Sequence, residues 1–326
     1  SLLSRRGALK KLETSYYLKA IEEAREDRIY GKMNIPGTNT GRWAGSGGKL
    51  GFLTLPKDKR FLECFKASPG FKIIQADVAS LEPHVLAELS RDRTYMKLYG
   101  PNAKENCVYL FIGSHLPGWK EKLAEVGYDP DNPTPEGIKA AKTKYGKERE
   151  VWKIVHLSAA YSAGPYSIYI GLRMKGTEVS FKEIEKLHHL YWSPSLFGGV
   201  KKFEEQLKKE WVELKGWYLD ALGCPVTLSE KRTKDFTNAC IQRSGHSILT
   251  VFITELAKNF RASGIEFNWI VPDLHDETIY EVREDQVDSA LQIHAETVDW
   301  LNEWLGGVTK LKMDPQVIES LSGRKD

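Results

Sequence analysis

The chain has 326 residues, of which 41% are hydrophobic and 28% charged, with a formal net charge of +3. This is ordinary globular composition, with length for one large folded body or two modest ones. Cys64, Cys107, Cys224 and Cys240 lie far apart without metal-ligand spacing, which argues against a disulfide framework or a zinc site and for reduced cytosolic thiols.

The chain opens SLLSRRGALKK, without methionine, as a processed product or excised piece would. It shows no secretory leader and no apolar run of membrane-spanning length, so a cytoplasmic location (a bacterial or phage-infected cell) and no membrane partner are expected. Leu2 to Arg28 reads as helical, followed by the Gly-rich loop NIPGTNTGRWAGSGGKLGF. FKIIQADV, Phe71 to Val78, reads as a buried strand. SLEPHVLAELSRD reads as a helix with Ser80 as N-cap, Pro83 in the first turn, and Val85, Leu86 and Leu89 on its apolar face. From residue 100 the chain reads as irregular, and then a long helix is predicted from Pro135 to Leu172. A helix from Val200 to Ala221, a short hairpin in GCPVTLSEKR and a long apolar helix in TNACIQRSGHSILTVFITELAKNF follow. EFNWIVPDL and ETIYEV read as two strands, with Pro272 marking a bulge or an edge. DQVDSALQIHAETVDWLNEWL reads as an amphipathic helix. The order lacks a βαβ rhythm, which predicts an α+β fold with an antiparallel sheet and a mostly helical insertion.

Basic residues gather at Arg5, Arg6, Lys10 and Lys11, at Lys139 to Lys153, and at Lys231, Arg232 and Lys234. Such clusters suit a polyanion, because neutralised phosphates release counterions. Taken singly, each reads first as a solvated helix face. Asp77 closes the first predicted strand, where a carboxylate is costly unless something positive meets it. Asp276 stands in the turn between the two later strands. Two aspartates at neighbouring strand ends could bind two Mg²⁺ ions about 4 Å apart. Arg149, Lys153, Leu157 and Tyr161 are spaced by four and share one helix face. That stripe reads either as a basic rim or as a surface that grips a triphosphate at one end and stacks a base at the other.

In this order, the strand-end aspartate with its following helix, the R-x-x-x-K…Y helix and the H-D-E turn resemble the family A DNA polymerases, the bacterial polymerase I type. The phage members share GRWAG itself. The resemblance covers about Gly41 to Val282 with motifs. It implies a right-hand fold with an antiparallel palm sheet, a helical fingers insertion, and a thumb that is reduced or missing. Residues 1–35 would be a residual thumb base, 36–100 the first palm part, 101–235 the fingers and 236–326 the second palm part.

The resemblance also implies roles. Asp77 and Asp276 would ligate two Mg²⁺ ions, for which Mn²⁺ substitutes, with the carbonyl of Val78 on one of them. Glu82 would gate against a ribose 2′-hydroxyl, although an acid in a first helical turn also complements the dipole. Arg149 and Lys153 would bind the dNTP triphosphate, with Lys153 able to protonate pyrophosphate. Tyr161 would cap the site beside the template base. Arg42, Lys234, Asn238 and Gln242 would contact primer-template DNA, His275 would support the primer terminus, and Glu277 would have a lesser role near the metals. The sequence departs from the family pattern at His84, usually arginine, at Leu157, usually aromatic, and at Ser162, usually glycine. The expected activity is template-directed DNA synthesis in replication or repair. No exonuclease carboxylate cluster is seen, so no proofreading and poor processivity are expected of this chain alone, with an upstream exonuclease or thumb domain or a processivity factor as the partners to look for. A single-subunit RNA polymerase or a non-catalytic primer-template binding remnant are the alternatives.

Overall fold

The computed structural model describes residues 2–35, 38, 41–45, 50–100, 106–227, 236–274, 276–307 and 309–324. Two compact bodies are present, one formed by residues 1–81, 243–306 and 311–326, the other by 82–242 and 307–310. The bodies divide at 81/82 and 242/243, whereas the sequence-based division ran at 100/101 and 235/236.

The first body is built on a four-stranded antiparallel sheet. Its spatial order is Phe267–Leu274, Glu277–Arg283, Phe71–Asp77 and Gln316–Ile318. Phe71–Asp77 lies between two partners, and its residues Ile73 to Ala76 are all buried, as a near-continuous apolar run requires. Alternation divides the strand between two faces. On one face Ile73 and Ile279 join Leu50, Phe61, Leu62, Val271, Leu274 and Leu321 in one apolar cluster. On the other, Ile74 pairs in register with Tyr280, whose ring lies against Phe260 and stacks on His294. The helices that carry these rings are Phe236–Ala262, of which residues 243–262 belong to this body, and Val287–Leu305.

The predicted helix from Leu2 to Arg28 ends earlier, at Glu23, and passes through a π-helical turn at Glu13–Tyr17. A tight turn stops it. Arg25 and Arg28 exchange backbone hydrogen bonds, while Glu26 and Asp27 both take positive φ. Tyr16 and Tyr17 meet the Phe61 ring edge-on at 5.7 and 5.0 Å, which anchors this segment to the apolar cluster.

Among the described residues the second body is helical apart from the hairpin Trp217–Leu219/Pro225–Thr227, whose return strand the GCPVTLSEKR reading anticipates; residues 228–232 of that reading lie outside the described residues. The stretch after residue 106, read as irregular, holds helices Val108–Ser114 and Trp119–Ala124. The single helix predicted from Pro135 to Leu172 is three: Pro135–Lys144, Gly146–Ala160 and Pro165–Met174. The second break follows a left-handed Ser162, and Pro165 opens the next helix at a position where its missing N–H costs nothing. The helix predicted from Val200 to Ala221 is Gly198–Glu213, ended by positive φ at Lys215 and Gly216. Asp92 ties the body together from within. Its Oδ1 caps Thr94 and Tyr95, and its Oδ2 accepts from the Gly199 amide at 2.7 Å.

Ser80, expected as an N-cap, takes φ 55 rather than the extended conformation of a cap.

Candidate active site

In the first body the strand register places Asp77 directly opposite Glu277. The Val78 amide donates to the Asp276 carbonyl at 2.8 Å, which joins the two carboxylate-bearing segments at the sheet end. Asp77 is exposed and Asp276 half-buried. Ahead of the turn, the strand carrying Pro272 shifts register between Trp269 and Val271 and again between Val271 and Leu274. It is also the sheet edge, so the proline removes no ladder bond that a central strand would need.

Glu277 is buried beside them and takes an ion pair from Arg324 Nη2 at 3.0 Å. Burial raises its pKa above the ordinary carboxylate value, Arg324 opposes this, and the nearby Asp276 adds to it. A second buried pair, His246 Nδ1 with Asp273 Oδ2 at 2.5 Å, holds the strand before the turn to the long helix. His275 lies outside the described residues, as does Lys234.

Arg42 is half-buried in this body. It follows Gly41 in a tight turn in which Gly41 donates to Thr38 and Thr38 to the Arg42 carbonyl. Gly41 has φ 74, and a Cβ there would fall 1.6 Å from Arg243 Nη1. Only glycine fits that approach, which is the physical reason for the glycine in the TGR segment.

In the second body, helix Gly146–Ala160 buries Trp152, Val155, His156, Ala159 and Ala160. Trp152 meets Trp119 edge-on at 4.9 Å, and His156 Nε2 lies 3.2 Å from the Tyr95 hydroxyl. This buried face fixes the rotation of the helix, so Arg149, Lys153 and Leu157 share the partly exposed face. The Arg149 guanidinium lies 5.0 Å over the Tyr109 ring, and its Nε donates to Cys107 Sγ at 3.4 Å. Among the described residues, Lys153 has no carboxylate within ion-pairing distance. Tyr161 follows the helix as its C-cap and donates its hydroxyl to Glu82 Oε2. Glu82 itself lies in the first turn of helix Leu81–Ser90, where a carboxylate is favoured by the dipole.

Asn238 and Gln242 are four apart on one helix and both half-buried on the same face. Asn238 Oδ1 is buried and accepts no hydrogen bond among the described residues. The structure therefore gathers the site residues in two groups: Asp77, Val78, Asp276 and Glu277 in the first body, and Glu82, Arg149, Lys153, Leu157 and Tyr161 in the second. Arg324, Tyr109 and Glu204, which bonds Ser162, are partners that no local sequence pattern singles out.

Among the described residues no three His, Cys, Asp or Glu side chains converge on one point. The donor set at the sheet end, two carboxylates with no thiol, suits a hard divalent cation that completes its shell with substrate phosphates and water.

No family model matches the chain. It is 26% identical to the chloroplastic/mitochondrial DNA polymerase I B of Arabidopsis thaliana, over 90% of this chain and 28% of that protein. It is 22% identical to the thermostable DNA polymerase I of Thermus filiformis, over 89% of this chain and 32% of that one. The chain thus spans about a third or less of these relatives' length. Its fold matches the POL domain of Pol1 from M. smegmatis, solved in complex with DNA primer-template and dNTP. The TM-score is 0.75 at 20% identity, over 98% of this chain and 53% of that one. In sequence the chain is thus similar to DNA polymerase I proteins, and in fold to a Pol1 POL domain.

Proposed function

We propose that this chain adds deoxynucleotides to the 3′-hydroxyl of a primer, directed by a DNA template. The observation that carries the reading is the joining of Asp77 and Asp276 at adjacent strand ends through the Val78–Asp276 hydrogen bond. In the reaction the 3′-oxygen attacks the α-phosphorus of a dNTP, the bond to the bridging oxygen breaks and pyrophosphate leaves. Asp77, Asp276 and the Val78 carbonyl would hold two Mg²⁺ ions, or Mn²⁺ in their place. When bound, these ions lower the pKa of the attacking hydroxyl and neutralise the phosphates.

The remaining work falls to this chain's own side chains. Arg149 and Lys153 bind the triphosphate, and their charge offsets what develops on the leaving oxygens. Lys153 is also placed to donate a proton to the departing pyrophosphate. Leu157 offers the sugar an apolar wall and Tyr161 a ring at the template side. Glu82 excludes a ribose 2′-hydroxyl. Arg42, Asn238 and Gln242 contact the minor groove of the primer-template, Lys234 its backbone, and His275 the primer terminus. An exonuclease or thumb domain in a longer protein, or a separate processivity factor, would complete the replicative or repair function.

The test is extension of a short DNA hairpin with Mg²⁺, supplying dNTPs or rNTPs separately, beside Asp77→Ala and Asp276→Ala. Extension with dNTPs alone, lost in both variants, is the expected result. Extension with rNTPs would favour an RNA polymerase, and tight hairpin binding without extension a non-catalytic binding remnant.

A further inference from the structure

Helix Gly146–Ala160 ends in a motif that normally requires glycine. The Ala163 amide donates to the Ser158 carbonyl at 2.9 Å, and the Ser162 amide to the Ala159 carbonyl at 2.8 Å. This is the paired closure of a Schellman motif, with Tyr161 at the cap and Ser162 at the following position. That position is left-handed, and Ser162 occupies it with φ 61. A side chain there is disfavoured by the contact of its Cβ with the following carbonyl. Something else must hold the serine in place.

The side chain supplies the anchor. Ser162 Oγ donates to Glu204 Oε2 at 3.0 Å, and the other carboxylate oxygen of Glu204 receives Lys208. The Glu204 side chain is only 13% exposed, so this is a charge-assisted bond largely out of water. The next residue is tied as well, with the Ala163 carbonyl 3.0 Å from His188 Nε2. Three consecutive residues of the turn are therefore fixed to three separate elements: Tyr161 to Glu82, Ser162 to Glu204 and Ala163 to His188. Glu204, His188 and Pro165 also line a cavity of about 350 Å³, so a released turn has space to move into.

We propose that Glu204 is a positioning residue that does for Ser162 what a glycine would do unaided. It holds the turn in its left-handed form and so keeps the Tyr161 hydroxyl on Glu82, which makes it a determinant of sugar selectivity. The selectivity part rests on the polymerase reading above; the geometric part does not. Without the anchor, Ser162 leaves the left-handed region, Tyr161 swings with it, and Glu82 loses its bond to the Tyr161 hydroxyl. A glycine at 162 needs no anchor, so it should make Glu204 dispensable.

The experiment compares Glu204→Ala, Glu204→Gln, Ser162→Gly and the double variant Glu204→Ala/Ser162→Gly. Two readouts are taken: the ratio of dNTP to rNTP insertion, and hydrogen–deuterium exchange of residues 158–165. Glu204→Ala should lower the ratio on the order of tenfold, the population shift set by one left-handed side-chain penalty, and speed exchange in the turn. Glu204→Gln keeps an acceptor and should stay close to the parent protein, as should Ser162→Gly. The double variant should recover both readouts. Failure of the double variant to recover would overturn the proposal, because the loss would then come from packing of the Glu204 helix. An unchanged ratio in Glu204→Ala, in a parent that does extend primers, would overturn it too. A parent without extension refutes the polymerase reading instead, and the exchange data still decide whether Glu204 holds the turn.

Discussion

The Tyr161 hydroxyl donates to the Glu82 carboxylate, linking the C-cap of the basic helix to the first turn of helix Leu81–Ser90. A hydrogen bond to a charged group is worth more than a neutral one, but both side chains are half-exposed and water screens part of it. Tyr161→Phe keeps the ring and removes the donor. It should cost about 1 kcal/mol of stability and, if Glu82 gates the sugar as proposed, raise the rNTP share of insertion roughly fivefold by removing one of the bonds that hold its carboxylate. Single-nucleotide insertion with matched dNTP and rNTP measures this, and an unaltered ratio would remove Tyr161 from the gating argument.

Lys153 and Arg149 share a helix face but not a local environment. Arg149 is engaged by Tyr109 and Cys107, while Lys153 has no carboxylate partner among the described residues. Lys153→Ala should therefore leave folding nearly untouched, with any loss within about 0.5 kcal/mol as for a surface site without partners. It should raise the KM for dNTP and lower kcat, with kcat/KM down about a hundredfold for a lost charge-assisted phosphate contact. Arg149→Ala should instead show a measurable drop in melting temperature besides its loss of dNTP affinity. Equal melting losses in the two variants would contradict the difference in environment.

These sites were legible to different degrees. Asp77, Asp276 and the Arg149–Tyr161 stripe stand out as candidates because they sit on short local patterns: a buried strand ending in a carboxylate, a turn, and a spacing of four. Phe71–Asp77 was readable because burial on both faces leaves a continuous apolar run. The strand Gln316–Ile318 was not, since three residues carry no usable periodicity. The helix breaks near residues 145 and 162 were missed where the apolar spacing continues across them. Gly164 and Pro165 are the local marks of the second break, but the residue that turns the chain is a serine. Its anchor lies 42 residues away, and Arg324 lies 47 residues from Glu277. Partnerships at that separation are made by tertiary packing alone.

The Glu277–Arg324 pair gives a further expectation. Their side chains are 11% and 22% exposed, and burial already raises the Glu277 pKa against the pull of Arg324. A carboxyl with a raised folded pKa contributes most below its unfolded value, and that contribution is lost as pH rises. Arg324→Ala leaves the carboxylate with burial and Asp276 acting in the same direction. It should destabilise the protein by about 2 kcal/mol near neutral pH, less than for a fully buried pair, and by less at acid pH, where a carboxyl with a raised pKa is already protonated. Urea unfolding at the two pH values tests this, and a variant equally destabilised at both would show that Arg324 acts through packing.

His294 and His156 make acid the vulnerable side of the molecule. Burial lowers the pKa of His294 to about 4 and that of His156 to about 3. His294 Nδ1 lies 2.9 Å from the Tyr280 hydroxyl and His156 Nε2 lies 3.2 Å from that of Tyr95, so each is held neutral in a hydrogen bond. Unfolded histidines titrate near pH 6.5. Above that pH neither state binds the proton and the full stability is present. Below it the unfolded chain takes up protons that the folded one refuses, so stability falls as pH drops toward 4 and then 3. Each histidine should cost about 2 kcal/mol between pH 6.5 and pH 5, a window in which ordinary carboxylates remain ionised. His156→Gln keeps a polar group near Tyr95 and does not titrate. It should be less stable than the parent at pH 7.5 yet lose less on going to pH 5, as followed by denaturant unfolding at both values. Parallel losses in the variant and the parent would show that the acid sensitivity arises elsewhere.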